Sequence, residues 1–276
     1  MIRSLLYVPG NTPRFLEKAA GRGADALIVD LEDAVPEAAK TAARDALAEW
    51  VPRLRAGGAR VFVRVNTGAR QEGDLLAAAR AGAEAAYVPK VGSGAEVEAI
   101  DRLLSGAGSA MALVPLIEDP AGLLEAPAIA RGPRVIALSV GGEDLATAMG
   151  AEPTPEVLRQ PKLMVHYAAK AAGRLSFGLI RSTADFGDHE AIRAAGREAR
   201  AHGFDGATCI HPALVPLLNE AFAPTPAELD WAARVVAAAR TETAAGRGAF
   251  TLDGRFVDAP IVARAETLLQ RFGNPA

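Results

Sequence analysis

The chain has 276 residues, of which 50% are hydrophobic and 23% are charged, an ordinary balance for a globular protein. The net charge of −3 comes from interspersed acids and bases, and the single cysteine, Cys209, excludes an internal disulfide framework. We find no basic stripe that would bind nucleic acid, no secretory leader pattern and no long apolar span, so we expect a cytoplasmic protein without membrane association.

Eight short apolar runs, each stopped by Gly, Pro or polar residues, predict buried strands. In chain order they cover residues 5–8, 26–29, 61–63, 85–88, 114–117, 138–140, 175–180 and 207–210. Helical patterns fall between them, at about residues 37–54, 72–80, 95–104, 122–130, 156–172 and 189–202, and another helix is expected after Pro13.

Strands that alternate with helices predict a parallel sheet. Eight such units match an α/β fold of the (β/α)₈ TIM-barrel type, which typically takes ~250 residues. A doubly wound open sheet is the alternative, although no Gly-x-Gly-x-x-Gly follows the first strand. We expect a catalytic barrel at 1–223 and a C-terminal extension at 224–276. The extension contains a helix, a hairpin-like lid segment with Asp-Gly at its turn, and a closing helix.

Polar residues follow the predicted strands at the edge where barrel active sites form. They are Asp30, Glu32, Asp33, Arg64, Lys90, Glu118, Asp119, Glu143, Asp144 and His211. Two acids from neighbouring strand ends can bind a hard divalent cation such as Mg²⁺. Alternatively, Glu118 and Glu143 cap the next helices, Arg64 is a structural ion-pair partner of Asp30, and Lys90 pairs with Glu118. Schiff-base chemistry at Lys90 ranks lower, because surrounding acids keep a lysine protonated.

Seven fragments, in order along the chain, are similar to the citrate lyase β-subunit-like family, which is related to the HpcH/HpaI aldolases and to malyl-CoA and citramalyl-CoA lyases. The fragments are residues 3–10, 30–35, 64–66, 89–90, 116–118, 141–145 and 209–212. The resemblance implies the barrel fold, often assembled as a homotrimer. The run at 159–166 departs from the family pattern, and the tail is shorter than in malyl-CoA lyases.

The resemblance also implies roles for the acids and the arginine. Glu118 and Asp144 resemble the two Mg²⁺ ligands of the family. Arg64 is similar to the arginine that stabilises the thioester or enolate oxygen. Glu32 and Asp33 resemble the acidic cluster that orders Arg64 and a metal-bound water.

Further substrate contacts follow from the same resemblance. Gly142 and Glu143 would offer backbone N–H groups to the substrate carboxylate, and Lys90 would lie in the substrate pocket. The segment at 254–260 is similar to the family's lid, and its aspartate, Asp258, would act as acid or base, often in a neighbouring subunit's site.

The expected activity is Mg²⁺-dependent cleavage or formation of a citryl-, citramalyl- or malyl-type thioester of CoA or acyl carrier protein. The products would be an acetyl thioester and a 2-oxo acid such as oxaloacetate. One alternative is a class II aldolase that acts on free 2-oxo acids. Another is a non-catalytic subunit that binds a 2-oxo acid or a CoA ester, and citrate lyase subunits are possible partners.

Overall fold

A parallel β-barrel forms the larger part of the protein, whose computed structural model describes residues 1–180 and 187–273. The strands of the barrel are β1 (Ser4–Pro9), β2 (Ala26–Asp30), β3 (Arg60–Arg64), β4 (Ala85–Val88), β5 (Ala112–Ile117), β6 (Ala137–Val140), β7 (Leu175–Phe177) and β8 (Ala207–Cys209).

The strands are hydrogen-bonded in the order β7-β6-β5-β4-β3-β2-β1-β8. Between β7 and β8, Phe177 forms a parallel bridge with Gly206, and the Gly178 N–H donates to the Gly206 carbonyl at 2.9 Å. The predicted (β/α)₈ barrel is therefore confirmed, and the open doubly wound sheet is excluded.

Helices surround the strands, and most of them begin near the predicted positions. They are α1 (Pro13–Ala19), α2 (Lys40–Asp45), α3 (Leu47–Ala56), α4 (Gln71–Ala81), α5 (Gly94–Gly106), α6 (Pro120–Arg131), α7 (Gly142–Ala148), α8 (Pro155–Ala171), α9 (His189–His202) and α10 (Leu214–Ala221). The helix expected at 37–54 is divided into a 3₁₀ turn, α2 and α3, and neither α7 nor α10 was predicted.

Buried side chains form two apolar layers on the two faces of the barrel wall. Ile28, Phe62, Tyr87 and Val114 belong to the inner layer, while their neighbours along each strand pack towards the helices. This alternation follows from the two-residue period of a strand. Because side chains fill the interior, polar groups meet where the strands end.

The residues from Ala223 onward form a second compact unit. It contains α11 (Pro226–Ala244), β9 (Phe250–Leu252), β10 (Arg255–Val257) and α12 (Ala259–Phe272), with β9 and β10 antiparallel. Asp253 and Gly254 have φ values of 50° and 74°, as the tight turn of a two-residue hairpin requires. The lid role of the segment at 254–260 stays a prediction.

Among the helices of the described residues, none is both long enough and apolar enough to cross a bilayer.

Candidate active site

The carboxyl ends of β1 to β4 lie level with one another and present polar residues at one rim. Asp30 pairs in register with Pro9 on one side and Arg64 on the other, and Arg64 pairs with Tyr87. Residues far apart in sequence therefore become neighbours at this rim.

Arg64 is surrounded by carboxylates. Its Nε and Nη2 donate to the two oxygens of Asp30 at 2.7 and 2.6 Å, and Nη1 lies 3.0 Å from Glu32 and from Asp33. Burial opposes the charge on Arg64, but the hydrogen bonds and charge of Asp30 outweigh it, so the pKa of Arg64 lies above its ordinary value. The guanidinium also lies over the Tyr7 ring, 4.9 Å from its centroid. The alternative of an Asp30–Arg64 ion pair is thus realised, and a contact of Arg64 with substrate stays a prediction.

Glu118 points into the rim and does not cap a helix. Asp119, the next residue, caps α6 by accepting the Gly122 N–H at 2.7 Å. The Glu118 side chain is 4% exposed, and its Oε2 accepts the backbone N–H of Lys90 at 2.9 Å. Lys90 therefore contacts Glu118 through its main chain, in a left-handed conformation with φ of 55°.

Burial, together with the negative charges of Glu32 and Asp144, raises the pKa of Glu118 to about 8. Burial likewise raises the pKa of Glu32 to about 7, although the charge of Arg64 opposes this shift. The Oε2 of Glu32 is within ion-pair distance of Arg64 but has no hydrogen bond of acceptable geometry. Acidic groups thus accumulate at this rim beyond what Arg64 neutralises.

A divalent cation fits this arrangement. Glu118 follows β5 and Asp144 lies in the first turn of α7, after β6, and β5 and β6 are hydrogen-bonded neighbours. The charge of Asp144 contributes to the raised pKa of Glu118, and a cation bound between two carboxylates stabilises both as anions. Among the described residues, no three His, Cys, Asp or Glu side chains form a ready-made metal cluster, so water or substrate would supply the remaining ligands.

Gly141 and Gly142 connect β6 to α7 in a crowded position. A Cβ on Gly141 would lie 2.3 Å from the Glu118 Oε1, and one on Gly142 would lie 3.3 Å from the Lys162 Nζ. The turn that bears Glu143 and Asp144 therefore separates a buried carboxyl group from a buried ammonium group. At Gly141 a side chain would force the Glu118 carboxyl group to move, whereas at Gly142 a shift of a few tenths of an ångström by the neighbouring side chains, Lys162 among them, would suffice.

Lys162 and His166 are buried residues that sequence reasoning missed. Lys162 is 6% exposed and donates to the Leu179 carbonyl at 2.9 Å, while the His166 Nδ1 lies 2.7 Å from the Ser176 hydroxyl. The His166 ring stacks on Phe204, with 4.4 Å between ring centroids. Both lie in the 159–166 run. Their i, i+4 spacing along the buried face of α8 was the signal that could have identified them.

Asp258 belongs to the C-terminal unit, where it precedes α12. Its backbone carbonyl accepts the N–H groups of Ile261 and Val262, both at 3.0 Å, and its side chain does not cap the helix. The acid–base role of Asp258 stays a prediction, as do the substrate contacts of Lys90, Gly142 and Glu143.

Comparison with known proteins finds a family model and individual relatives that match most of the chain. The model of the HpcH/HpaI aldolase/citrate lyase family matches residues 3–212. The chain is 38% identical to a (3S)-malyl-CoA thioesterase of Cereibacter sphaeroides over 93% of this chain and 89% of that protein. It is 35% identical to a citrate lyase subunit beta-like protein of Mycobacterium tuberculosis, over 98% of this chain and 95% of that protein.

Solved structures are similar over 80% of this chain or more. CitE from Mycobacterium tuberculosis, in complex with magnesium, acetoacetate and coenzyme A, superposes with a TM-score of 0.83 at 34% identity, covering 99% of this chain and 98% of that one. A citrate lyase beta subunit from the same organism, complexed with oxaloacetate and magnesium, has a TM-score of 0.69 at 31% identity and covers 80% of this chain and 96% of that one.

Proposed function

The chain belongs to the HpcH/HpaI aldolase/citrate lyase family, and on that basis we propose that it is a Mg²⁺-dependent carbon–carbon lyase. Its substrate would be a citryl-, citramalyl- or malyl-type thioester of CoA or acyl carrier protein. Its products would be an acetyl thioester and a 2-oxo acid such as oxaloacetate. The main support is the pair of carboxylates, Glu118 after β5 and Asp144 in the turn after the neighbouring strand β6, together with the charge of Arg64 that acts on Glu118. Relatives whose structures contain magnesium with coenzyme A or oxaloacetate support the same assignment.

We assign the metal to Glu118 and Asp144, and bound there Mg²⁺ would act as a Lewis acid towards the substrate's hydroxyl or oxo oxygen. Backbone N–H groups of Gly142 and Glu143 would bind the carboxylate of the 2-oxo acid. Lys90 would lie beside the substrate at the same rim.

The bond between C2 and C3 of the 3-hydroxyacyl thioester would break. Its electron pair would remain on C2 of the thioester fragment, which becomes an enolate. Arg64 would donate hydrogen bonds to the enolate oxygen, where negative charge develops in the transition state. Glu32 and Asp33 would orient Arg64, and they are the carboxylates available to accept the hydroxyl proton. Asp258 of a neighbouring subunit would protonate the enolate carbon, a type of step that contributes a factor of ~10²–10⁴ in rate.

The test is cleavage of a panel of malyl, citramalyl and citryl thioesters by the full-length chain, with the 2-oxo acid and the acetyl thioester quantified. Chelation should abolish turnover and Mg²⁺ should restore it. Glu118→Gln and Asp144→Asn should each lower metal affinity or activity by at least about 10–100-fold, which is the typical cost of losing only a residue that supports a metal ligand. Asp119→Asn is the matched control, because an asparagine at that position still caps α6. Full activity of Glu118→Gln would contradict the proposal.

Hydrolysis of the thioester is the second candidate, and the relative named (3S)-malyl-CoA thioesterase favours it. The two reactions differ in their products. Cleavage of the carbon–carbon bond gives an acetyl thioester and a 2-oxo acid, whereas hydrolysis gives a free thiol and a hydroxy acid. Release of thiol without any 2-oxo acid would replace the lyase assignment with the hydrolase.

We also propose a homo-oligomer, specifically a trimer, located in the cytoplasm. We further propose association with citrate lyase subunits, which the name of the relative from Mycobacterium tuberculosis supports. Light scattering on the purified chain tests the trimer, which should have three times the monomer mass of 28.6 kDa.

A further inference from the structure

Lys40, the first residue of α2, connects the ends of two barrel strands. Its Nζ donates to the carbonyls of Glu32 at 2.8 Å and Leu31 at 3.2 Å, and to the Asn66 Oδ1 at 2.5 Å. Leu31 and Glu32 follow β2, and Asn66 follows β3. A single ammonium group therefore joins the two segments that bear the acidic loop and Arg64.

The Asn66 amide is fixed from its other side by a buried carboxylate. Its backbone N–H and its Nδ2 both donate to the Oδ2 of Asp74, at 2.9 and 2.7 Å, and Asp74 is 1% exposed. The amide thus lies between a cation at its oxygen and an anion at its nitrogen, an arrangement in which each hydrogen bond polarises the next. The two charges also determine the orientation of the amide. In a flipped side chain the NH₂ group would face the Lys40 ammonium and the oxygen would face the Asp74 carboxylate.

Lys40 acts on the main chain that bears the side chains of the site, through the Leu31 and Glu32 carbonyls. The Leu31 N–H donates to the Arg64 carbonyl at 2.9 Å, so the same two segments are also joined directly. Glu32 and Asp33 lie within 3.0 Å of the Arg64 guanidinium. A shift of either segment would therefore move the guanidinium relative to its carboxylate partners.

We propose that Lys40, supported by Asn66 and Asp74, is a positioning residue that sets the place of Arg64 for stabilisation of the enolate. The expected effect on kcat rests on the proposed lyase function, whereas the expected displacement of Arg64 does not. Because charge on the enolate oxygen develops in the transition state, misplacement of Arg64 lowers kcat more than it raises KM. A displacement of 1 Å in a catalytic group can cost on the order of 10²-fold in rate.

The experiment compares Lys40→Met with Lys170→Met. Lys170 forms an ion pair with Asp205 at the far end of α8 and has no part in the proposed site, which makes it the matched control. Lys40→Met should lower kcat for Mg²⁺-dependent cleavage by about 10–100-fold, with KM changed by less than about threefold. Lys170→Met should leave both constants unchanged.

An NMR measurement tests the positioning without turnover. The Arg64 Nε–H bonded to Asp30 should give a protected ¹⁵N–¹H signal, assigned by its loss in Arg64→Lys. That signal should shift or broaden in Lys40→Met and stay in place in Lys170→Met. If Lys40→Met does not fold, Asp74→Asn takes its place, because it keeps an acceptor oxygen for Asn66 and removes the charge. We expect a smaller change in the same direction.

The outcomes separate the two proposals. If the unmodified chain cleaves no thioester but the Arg64 signal moves in Lys40→Met, the positioning stands and the lyase function is wrong. If cleavage occurs while folded Lys40→Met keeps both the kcat and the Arg64 signal of the unmodified chain, the positioning is wrong. A loss of unfolding free energy with unchanged kinetics and an unchanged signal would likewise assign Lys40 a purely structural role.

Discussion

Replacing Gly141 with alanine should displace the Glu118 carboxyl group. The added Cβ would lie 2.3 Å from Oε1 and 2.6 Å from Cγ, whereas ordinary contacts begin at 3.4 Å. Glu118 must then retreat by about 1 Å, a displacement that matters for a group held in a fixed geometry. It has little room to do so, because it is 4% exposed and its Oε2 accepts the Lys90 N–H.

Gly141→Ala should lower both the free energy of unfolding and the affinity for Mg²⁺. Overpacking of a buried site lowers the free energy of unfolding by about 1–3 kcal/mol. Displacement of a proposed ligand lowers Mg²⁺ affinity by about 10–100-fold, as loss of support around a metal site does. Calorimetric titration with Mg²⁺ measures the affinity, and urea unfolding measures the stability.

Gly106→Ala is the control for the Gly141 variant. Gly106 ends α5, and a Cβ there would meet no atom within 4 Å, so neither quantity should fall. If Gly141→Ala binds Mg²⁺ and unfolds as the unmodified chain does, then Glu118 does not pack against Gly141 and the proposed ligand geometry is wrong.

Two further predictions concern buried titratable groups. Burial lowers the pKa of Lys162 to about 8 from 10.5, although the charge of Glu143 opposes the shift. Between these pH values the unfolded chain binds more protons than the folded one, so stability rises with pH. The unfolding free energy of the unmodified chain should therefore rise relative to Lys162→Met by up to about 3 kcal/mol from pH 8 to pH 10.5, and parallel urea midpoints across this range would refute the burial of Lys162. Burial raises the pKa of the Cys209 thiol to about 12, so a thiol reagent at pH 8 should label the folded chain negligibly and the urea-unfolded chain fully. Rapid labelling of the folded chain would mean that β8 opens to solvent.

Much of the barrel could be predicted, because its strands are buried on both faces and appear as continuous apolar runs. The helices were harder where they are short. In α10 (Leu214–Ala221), buried apolar residues recur at helical spacing, but the helix has only eight residues and contains Pro216, which argues against a helix in sequence reasoning. In α7, two glycines at the start hid a short helix whose position depends on packing around Gly141 and Gly142.

The sequence predicted the acids and the arginine of the candidate site, since these residues follow strand ends. It did not predict the two buried polar residues of α8. Lys162 and His166 face inward only because α8 packs against β6 and β7, a tertiary fact with weak local signal. An ion pair of Lys90 with Glu118 was one alternative, yet the backbone N–H of Lys90 is the group that contacts Glu118. A left-handed conformation at a lysine cannot be read from sequence, because it is imposed by the surrounding chain.

The pairing of β1 with β8 has a consequence for synthesis on the ribosome. The Ser4 hydroxyl donates to the Asn219 side chain at 2.6 Å across 215 residues of sequence, so the earliest strand completes its contacts only when nearly the whole barrel has emerged. Until then one edge of β1 offers unpaired main-chain groups to any other nascent chain. Contacts between residues so far apart in sequence slow folding. We therefore expect the unpaired edge of β1 to be the part of the nascent chain that depends most on chaperones.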